Sequence, residues 1–251
     1  MDELSYWLDK AKSTTEAGCF LSAIAFYEQA LEINPNNYEV LTGLGTAFFY
    51  CGQYSESIKV LAKALEINFK DPELWDALGQ SCFRLGDVEE AIRCHKSSTR
   101  LNSKVDYYWF NLGLCYLHKK WFSQSLSCFN QAILIAPNVL INYINKGASL
   151  SLLSRHKEAI VVYDFILSLS PNHRIASTNK AIDLTALKKF DEAVCIFYQI
   201  LGDHPEDVNC LNYLASIYIE LGLRENALAI NQEILNIDPV NGDAIARKDS
   251  N

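Results

Sequence analysis

Cysteine is the residue type in this sequence with the chemistry to bind zinc, form disulfides or act as a nucleophile. No two of the eight cysteines lie two to four residues apart, which is the spacing of most zinc ligand pairs. Most of them stand in apolar segments where a small hydrophobic residue would serve equally well. We therefore predict buried, reduced thiols and a reducing compartment. The cysteines are Cys19, Cys51, Cys82, Cys94, Cys115, Cys128, Cys195 and Cys210.

The histidines and glycines do not form a recognisable catalytic motif. The sequence lacks His-Glu-x-x-His, Gly-x-x-x-x-Gly-Lys, Gly-x-Ser-x-Gly and Gly-x-Gly-x-x-Gly. Gly43 and Gly45 form only an isolated Gly-x-Gly pair. We therefore predict a protein without catalytic residues, metal ligands or a cofactor. The histidines are scattered along the chain as His95, His118, His156, His173 and His204.

Composition and charge favour a helical protein and argue against nucleic acid as a partner. Hydrophobic residues make up 49% of the chain, with only 11 Gly and 6 Pro, as expected for long regular elements with few turns. The formal net charge is −8, and no run of Lys and Arg is present to neutralise phosphates. The first residues lack the features of a signal peptide, and no apolar run approaches the ~18 residues of a membrane span. We expect a cytoplasmic protein without membrane insertion.

The prolines reveal an internal repeat of 34 residues. Five of the six share one phase, because Pro35, Pro137, Pro171, Pro205 and Pro239 are separated by 102, 34, 34 and 34 residues. The sixth, Pro72, stands at the first position of a repeat, where its fixed φ suits the start of a helix. The chain then divides without insertions into 4–37, 38–71, 72–105, 106–139, 140–173, 174–207 and 208–241.

Residues of similar size recur at fixed positions of this period. The fourth position holds Trp7, Leu41, Trp75, Trp109, Tyr143, Ser177 and Leu211. The eighth holds Ala11, Gly45, Gly79, Gly113, Gly147, Ala181 and Ala215, and the twentieth holds Ala23, Ser57, Ala91, Ser125, Ala159, Ala193 and Ala227. Small residues let two antiparallel helices approach closely, and a large residue fills the space beside them. Each repeat is therefore predicted to form a helical hairpin.

This pattern resembles the tetratricopeptide repeat, which carries Trp-x-x-Leu-Gly-x-x-Tyr in its first helix and Ala, an aromatic residue and a closing Pro in its second half. The fourth repeat matches best, with Trp109, Leu112, Gly113, Tyr116, Ser125, Phe129, Ala132 and Pro137. The resemblance implies an all-α fold, an α-solenoid in which antiparallel hairpins stack into a right-handed superhelix with a concave inner face. It covers residues 4–241, and we assign 1–241 to seven repeats.

The sequence departs from this pattern at two junctions and at its C-terminal end. Phe69 and Ser103 replace the closing proline of the second and third repeats, which predicts less sharply fixed junctions there. Residues 242–251 are expected to form a short cap or tail, or a truncated helix. Ala244 and Ile245 are the candidates to cover the last repeat, because a terminal repeat lacks a neighbour on one side.

In this family the first helix of each hairpin lines the inner face. The chaperone-binding members clamp a C-terminal carboxylate with Lys, Asn and Arg at set positions of three successive repeats. The corresponding residues here are Leu8, Lys12, Gly43, Glu73 and Ala77. Only Lys12 is positively charged, and it is displaced to a position where the family has asparagine, so the resemblance argues against binding of the acidic Hsp70 and Hsp90 tails.

Asparagine recurs at the sixth position of three successive repeats. Asn111, Asn145 and Asn179 are similar to the asparagine ladder of the O-GlcNAc transferase and kinesin light chain superhelices. A side-chain amide offers a donor and an acceptor to the backbone of an extended peptide, although the same amide can also be bonded locally. The further candidates for a peptide-binding surface are Asn209, Asn212, Phe110, Leu114, Ile141, Ile144, Thr178 and Ile182.

Two functions follow from this inner face, whose exposed apolar positions require a reason. The leading hypothesis is a scaffold that binds an extended, partly apolar segment of a partner protein in the groove of repeats 4–7. The alternative is a self-assembling scaffold whose groove or C-terminal end receives another copy of the chain, as a homo-oligomer. Because an empty groove is solvated, replacing the three asparagines is expected to weaken binding and leave folding nearly unchanged.

Overall fold

Helices account for the regular structure of the chain. The computed structural model describes residues 2–249, so residues 1, 250 and 251 of the predicted repeats and tail lie outside it. Within residues 2–249 there are fifteen α-helices and no strand, which confirms the predicted all-α fold. They are α1 (Glu3–Glu16), α2 (Phe20–Ile33), α3 (Tyr38–Tyr50), α4 (Tyr54–Ile67), α5 (Pro72–Leu85), α6 (Val88–Leu101), α7 (Asp106–His118), α8 (Phe122–Ile135), α9 (Leu140–Leu152), α10 (His156–Leu169), α11 (Arg174–Ala186), α12 (Phe190–Asp203), α13 (Val208–Glu220), α14 (Arg224–Ile237) and α15 (Gly242–Asp249).

Short polar side chains begin several of the first helices. The Asp71 carboxylate accepts hydrogen bonds from the backbone N–H groups of Glu73 and Leu74, at 2.8 and 3.4 Å. Asn37 caps α3 and Asp207 caps α13 in the same way. These caps satisfy N–H groups that have no partner inside the helix, so they fix where each hairpin starts.

The turn inside each hairpin holds one residue in the left-handed backbone region. In the described chain this residue is Gly18, Gly52, Gly86 or Gly222 in four hairpins. In the other three it is Lys120, Ser154 or Lys188, with φ of 60°, 59° and 61°. All seven stand at the fifteenth position of their repeats. Since the left-handed region costs a non-glycine residue ~1 kcal/mol, tight packing of the two helices must impose this turn geometry.

Close contact between the two helices of a hairpin explains the small residues at the eighth position. A methyl group added to Gly45 would lie 2.5 Å from Leu61 Cδ2, and one added to Gly113 would lie 2.8 Å from Phe129 Cε1. Neither distance is compatible with van der Waals contact. The structure thus confirms that small residues allow the helices to approach each other.

The chain divides into two compact units, residues 1–138 and 139–251. The first contains α1–α8, which are four hairpins, and the second contains α9–α15. Within each unit, successive hairpins share one core. Leu61, Leu74 and Leu112 belong to one buried cluster in the first unit. Phe197 and Leu211 belong to another in the second unit. A single hairpin has no such core, and stacking supplies it.

The two junctions that lack proline are held by tryptophan. The indole N–H of Trp75 donates to the Phe69 carbonyl oxygen at 2.8 Å. The indole N–H of Trp109 donates to the Ser103 carbonyl oxygen at 3.0 Å. A hydrogen bond from the following helix thus contacts each of the two turns that lack the closing proline.

Helix α15 covers the end of the second unit. Ala244 is 0% exposed and belongs to the core of that unit, whereas Ile245 is exposed, so only one of the two expected residues covers repeat 7. The Arg247 guanidinium donates to Asn212 Oδ1 at 2.8 Å, across 35 residues. The hydrogen bond from Asn111 to Asp76 also spans 35 residues of the sequence. Helix α15 therefore lies where the first helix of a next repeat would lie.

Three cysteines differ from the prediction of buried thiols. Cys19 and Cys195 are exposed and Cys51 is half-buried. Cys19 stands in the turn that precedes α2. Cys195 lies at the repeat position that Lys59 and Arg93 occupy in other repeats, on the solvent side of the second helix. The remaining five are buried as expected: Cys82, Cys94, Cys115, Cys128 and Cys210.

Thiol reactivity should separate these two groups. At pH 8 we expect two cysteines per chain, Cys19 and Cys195, to react rapidly with a chromogenic thiol reagent. Burial raises the pKa of Cys115, Cys128 and Cys210 to about 12, so their reactive thiolate is scarce and they should react only when the protein opens. The double variant Cys19→Ser/Cys195→Ser should lose the rapid phase, and its persistence would contradict this assignment.

Removal of residues 242–251 should destabilise the second unit. The deletion exposes the core beside Ala244 and removes the hydrogen bonds of Arg247, so we expect a loss of about 1–3 kcal/mol in the free energy of unfolding. Urea unfolding should be followed by circular dichroism, which reports the helices of both units. Tryptophan fluorescence would not report the second unit, because all four tryptophans lie in the first. Arg247→Ala should give a smaller loss of the same sign. An unchanged urea midpoint for the deletion would show that α15 contributes nothing.

Candidate peptide-binding surface

In the second unit, apolar side chains are exposed on the first helices α9 and α11. Ile141 and Ile175 occupy the second position of successive repeats and are 44% and 54% exposed. Thr178 and Ile182 follow on α11 and are half-buried. Ile144 is only 8% exposed, so most of its side chain packs inside its own unit. The exposed part of this surface is therefore carried by Ile141, Ile175 and the edges of Thr178 and Ile182.

Two of the predicted asparagines lie on the same helices. The Asn145 amide donates to the Ile141 carbonyl oxygen of its own helix at 2.9 Å. Asn179 is a polar neighbour of the Tyr163 hydroxyl, whose pKa burial raises to about 12. That hydroxyl is buried and has no hydrogen bond of normal geometry within the described residues. Both asparagines are half-buried.

The predicted asparagines of repeat 7 differ from each other. Asn209 is exposed, and its backbone N–H donates to the capping Asp207 at 3.1 Å. The Asn212 side chain accepts the hydrogen bond from Arg247 of α15. Asn212 therefore already serves as an acceptor for a side chain that lies where a following repeat would be.

Repeat 4 contributes its candidates to the first unit. The Asn111 amide donates to both Asp76 carboxylate oxygens, at 3.1 and 3.2 Å. Phe110 lies 5.9 Å from the Phe129 ring, centroid to centroid, and is half-buried, as is Leu114. Asn111 is thus bonded to its neighbouring repeat, which differs from the expectation that it faces a solvated groove.

A buried carboxylate network surrounds Asp76. Asp76 is 2% exposed, and besides Asn111 its oxygens bond His95 Nδ1 at 2.8 Å and Gln80 Nε2 at 2.7 Å. A buried charge is tolerated when it accepts several hydrogen bonds, as here. Sequence reasoning missed this network. The available signal was His95, a polar residue at the second-helix position that usually carries an aromatic residue.

The second unit holds a related network around Asp183. Asp183 is buried and bonds His156 Nδ1 and the Ser151 hydroxyl, both at 2.7 Å. The serine is bonded to the carboxylate rather than to the imidazole. The arrangement is therefore not that of a serine nucleophile activated by histidine, in which the imidazole takes the hydroxyl proton.

The rest of the described chain contributes no further reactive centre to this surface. No group of three or more His, Cys, Asp or Glu in the described residues is placed to hold a metal ion. Among those residues there is also no helix with the length and apolar character required to cross a membrane. The candidate surface consists of apolar side chains, side-chain amides and the hydroxyl of Thr178.

Helical hairpins that stack on one another, with polar and apolar side chains on their first helices, define a helical-repeat protein. Models of the tetratricopeptide repeat family match residues 15–82 and 106–139. The chain carries tetratricopeptide repeats, and its fold is of the solenoid class that these repeats form. The resemblance seen in the sequence is confirmed for the repeats within 15–82 and 106–139 and for the fold. No curated protein matches the chain in sequence.

Solved structures show the same fold at low sequence identity. The C-terminal part of a TPR repeat-containing protein from Cytophaga hutchinsonii is 16% identical, with a TM-score of 0.78, and the match covers 96% of this chain and 98% of that one. A tetratricopeptide repeat protein from Parabacteroides merdae is 15% identical, with a TM-score of 0.72 and coverage of 97% and 96%. YrrB, described as a TPR protein with an unusual peptide-binding site, is 21% identical, with a TM-score of 0.61 and coverage of 68% and 88%.

Stability measurements should distinguish Asn111 from Asn145. Asn111→Ala removes two hydrogen bonds to a buried carboxylate, so we expect the free energy of unfolding to fall by about 2 kcal/mol. Asn145→Ala removes one hydrogen bond to its own helix, with an expected change below about 0.5 kcal/mol. Urea unfolding of both variants tests this difference. Equal losses would mean that the Asp76 network adds no stability.

Proposed function

We propose that the chain is a non-catalytic interaction scaffold that binds an extended, partly apolar segment of a partner protein along the first helices of its later repeats. Proteins built from these repeats generally serve as protein-interaction modules. The observation that carries the proposal is the exposure of Ile141 and Ile175, one repeat apart on neighbouring first helices. Isolated exposed apolar residues need no explanation, but a recurring pair beside half-buried asparagines favours a binding surface.

The amides restrict which ligand groups are suited to this surface. One amide N–H of Asn145 donates to the Ile141 carbonyl oxygen, which leaves its second N–H and its Oδ1 for a ligand. A carbonyl oxygen accepts hydrogen bonds from backbone N–H groups whatever the side chain. An extended segment presents such groups along its edge, whereas a helix uses them internally. We infer an extended ligand whose apolar side chains contact Ile141 and Ile175.

The proposal of a groove over repeats 4–7 includes Asn111, Phe110 and Leu114 in the first unit. In that unit the Asn111 amide donates to Asp76, which leaves its Oδ1 to accept, as for Asn145. The chaperone-tail alternative gains no support, because Lys12 is paired with Glu39 at 2.5 Å. Self-assembly through the C-terminal end requires displacement of α15, and light scattering over a concentration range distinguishes a stable monomer from such an oligomer.

Peptide selection provides a direct test. A phage-displayed library of random dodecapeptides is selected against the full chain, and the affinity of a selected synthetic peptide is measured by fluorescence polarisation. Ile175→Asp should weaken binding more than tenfold, because it places a charge at an apolar contact. Asn145→Ala/Asn179→Ala should weaken binding about fivefold to a hundredfold, for two hydrogen bonds of ~0.5–1.5 kcal/mol each.

The matched control is Leu169→Asp on α10. Leu169 is 60% exposed, close to the value for Ile175, but lies on a second helix. Its replacement should leave the affinity unchanged. If Leu169→Asp weakens binding as strongly as Ile175→Asp, or if all variants bind like the wild type, the first helices do not form the binding surface.

A further inference from the structure

Repeat 6 lacks the large residue that other repeats carry at the fourth position. Ser177 stands where repeats 1, 3 and 4 have tryptophan. In the other repeats this position is leucine or tyrosine. A serine side chain leaves most of that volume unfilled unless the neighbouring helices collapse into it.

In repeats 3 and 4 the tryptophan fills this space in a defined way. Each indole N–H donates to a backbone carbonyl oxygen six residues earlier, Trp75 to Phe69 at 2.8 Å and Trp109 to Ser103 at 3.0 Å. Both acceptors stand at the thirty-second position of the preceding repeat. The residue at that position before Ser177 is Pro171.

A cavity of about 410 Å³ lies beside Ser177. Pro171 and Ser177 both line it, so the position that lacks tryptophan and the residue that carries the expected carbonyl partner border the same cavity. Ile196 and Ile200 of α12 supply an apolar wall. Arg174 stands at its edge and is held in an ion pair with Asp207 at 2.9 Å. An engineered protein cavity of ~150 Å³ holds benzene, so this volume is sufficient for a two-ring group.

A second cavity adjoins the first and provides room for the chain that carries such a group. It measures about 490 Å³ and shares Arg174, Asp203 and His204 with the cavity beside Ser177. Its other lining residues lie in the turn between α12 and α13 and at the start of α13. A ring in the first cavity can therefore be attached to a backbone that leaves through the second.

We propose that the cavity beside Ser177 binds the tryptophan side chain of a partner protein. The indole takes the place that Trp75 and Trp109 occupy in their own repeats, with its N–H donating to the Pro171 carbonyl oxygen and its faces against Ile196 and Ile200. The guanidinium of Arg174 at the edge adds a cation–π contact. The first cavity is lined by none of the residues predicted for the peptide surface, and of those candidates Asn209 alone lines the second cavity.

Titration of the full, ¹⁵N-labelled chain with N-acetyltryptophanamide tests the proposal by two-dimensional NMR. We expect the amide signals of residues 172–177 and 196–204 to shift. N-acetyltryptophanamide should bind more tightly than free indole, because the second cavity receives its amide groups. The 1-methyl derivative of N-acetyltryptophanamide, which has no indole N–H, should bind about twofold to tenfold more weakly, for the loss of one hydrogen bond.

Two variants at the serine separate filling of the cavity from loss of the hydroxyl. Ser177→Trp should fill the cavity from within, abolish the shifts and raise the melting temperature of the second unit. Ser177→Ala should bind like the wild type. Gln199→Trp, at an exposed lining position, is a second blocking variant if Ser177→Trp does not fold. Ile141→Asp should leave the shifts unchanged, which keeps this test independent of the proposed peptide surface.

The proposal is overturned if N-acetyltryptophanamide at about 10 mM produces no shifts in the amide signals of residues 172–177. It is also overturned if a folded blocking variant gives the same shifts as the wild type, because the ligand then binds elsewhere. Equal affinities for N-acetyltryptophanamide and free indole would overturn the assignment to a protein side chain and assign the cavity to small indole compounds.

Discussion

Close contact between the two helices of a hairpin is the constraint on which the rest of the structure depends. At Gly147, as at Gly45 and Gly113, an added methyl group would come within 2.5–2.8 Å of a side chain on the second helix. The contact fixes the rotation of the first helix, so the same repeat positions face the same way in every hairpin. It also imposes the left-handed turn residue, even where that residue is Lys120 or Lys188. Residues that determine a function can therefore vary only at repeat positions outside this contact.

The sixth position shows how a fixed geometry admits different chemistry. Asn111 donates from it to a buried carboxylate of the preceding repeat, and Arg247 donates from it to the Asn212 side chain. In both cases the group bridges to the first helix of the preceding repeat, 35 residues earlier. Asn111 therefore stabilises the stack with its amide N–H groups, whereas Asn145 donates within its own helix. A structural role and a binding role are compatible at this position because a side-chain amide has both N–H donors and a carbonyl acceptor.

The sequence predicted the features that depend on spacing alone. The period of 34 residues places repeats 2 and 5 at 38 and 140, and α3 and α9 begin at those residues. The contact of Asp76 with His95 was beyond prediction, because it depends on side-chain directions across two helices rather than on a repeated residue type. Cys195 was assigned to the core because its neighbours are apolar, whereas its repeat position faces solvent. Burial follows the position in the repeat more closely than it follows local hydrophobicity.

Ser177 shows why a repeat protein tolerates the loss of a large residue. Ala181 and Phe197 remain fully buried in the same hairpin, so the close contact between its helices persists without the residue at the fourth position. A cavity in the closed core of a globular domain costs several kcal/mol, because its walls lose contacts and water does not enter. The cavity beside Ser177 is bordered by the exposed residues Arg174 and His204 and is open to water. Water compensates part of the lost contact, and a ligand ring that displaces it regains the packing that the other repeats make for themselves.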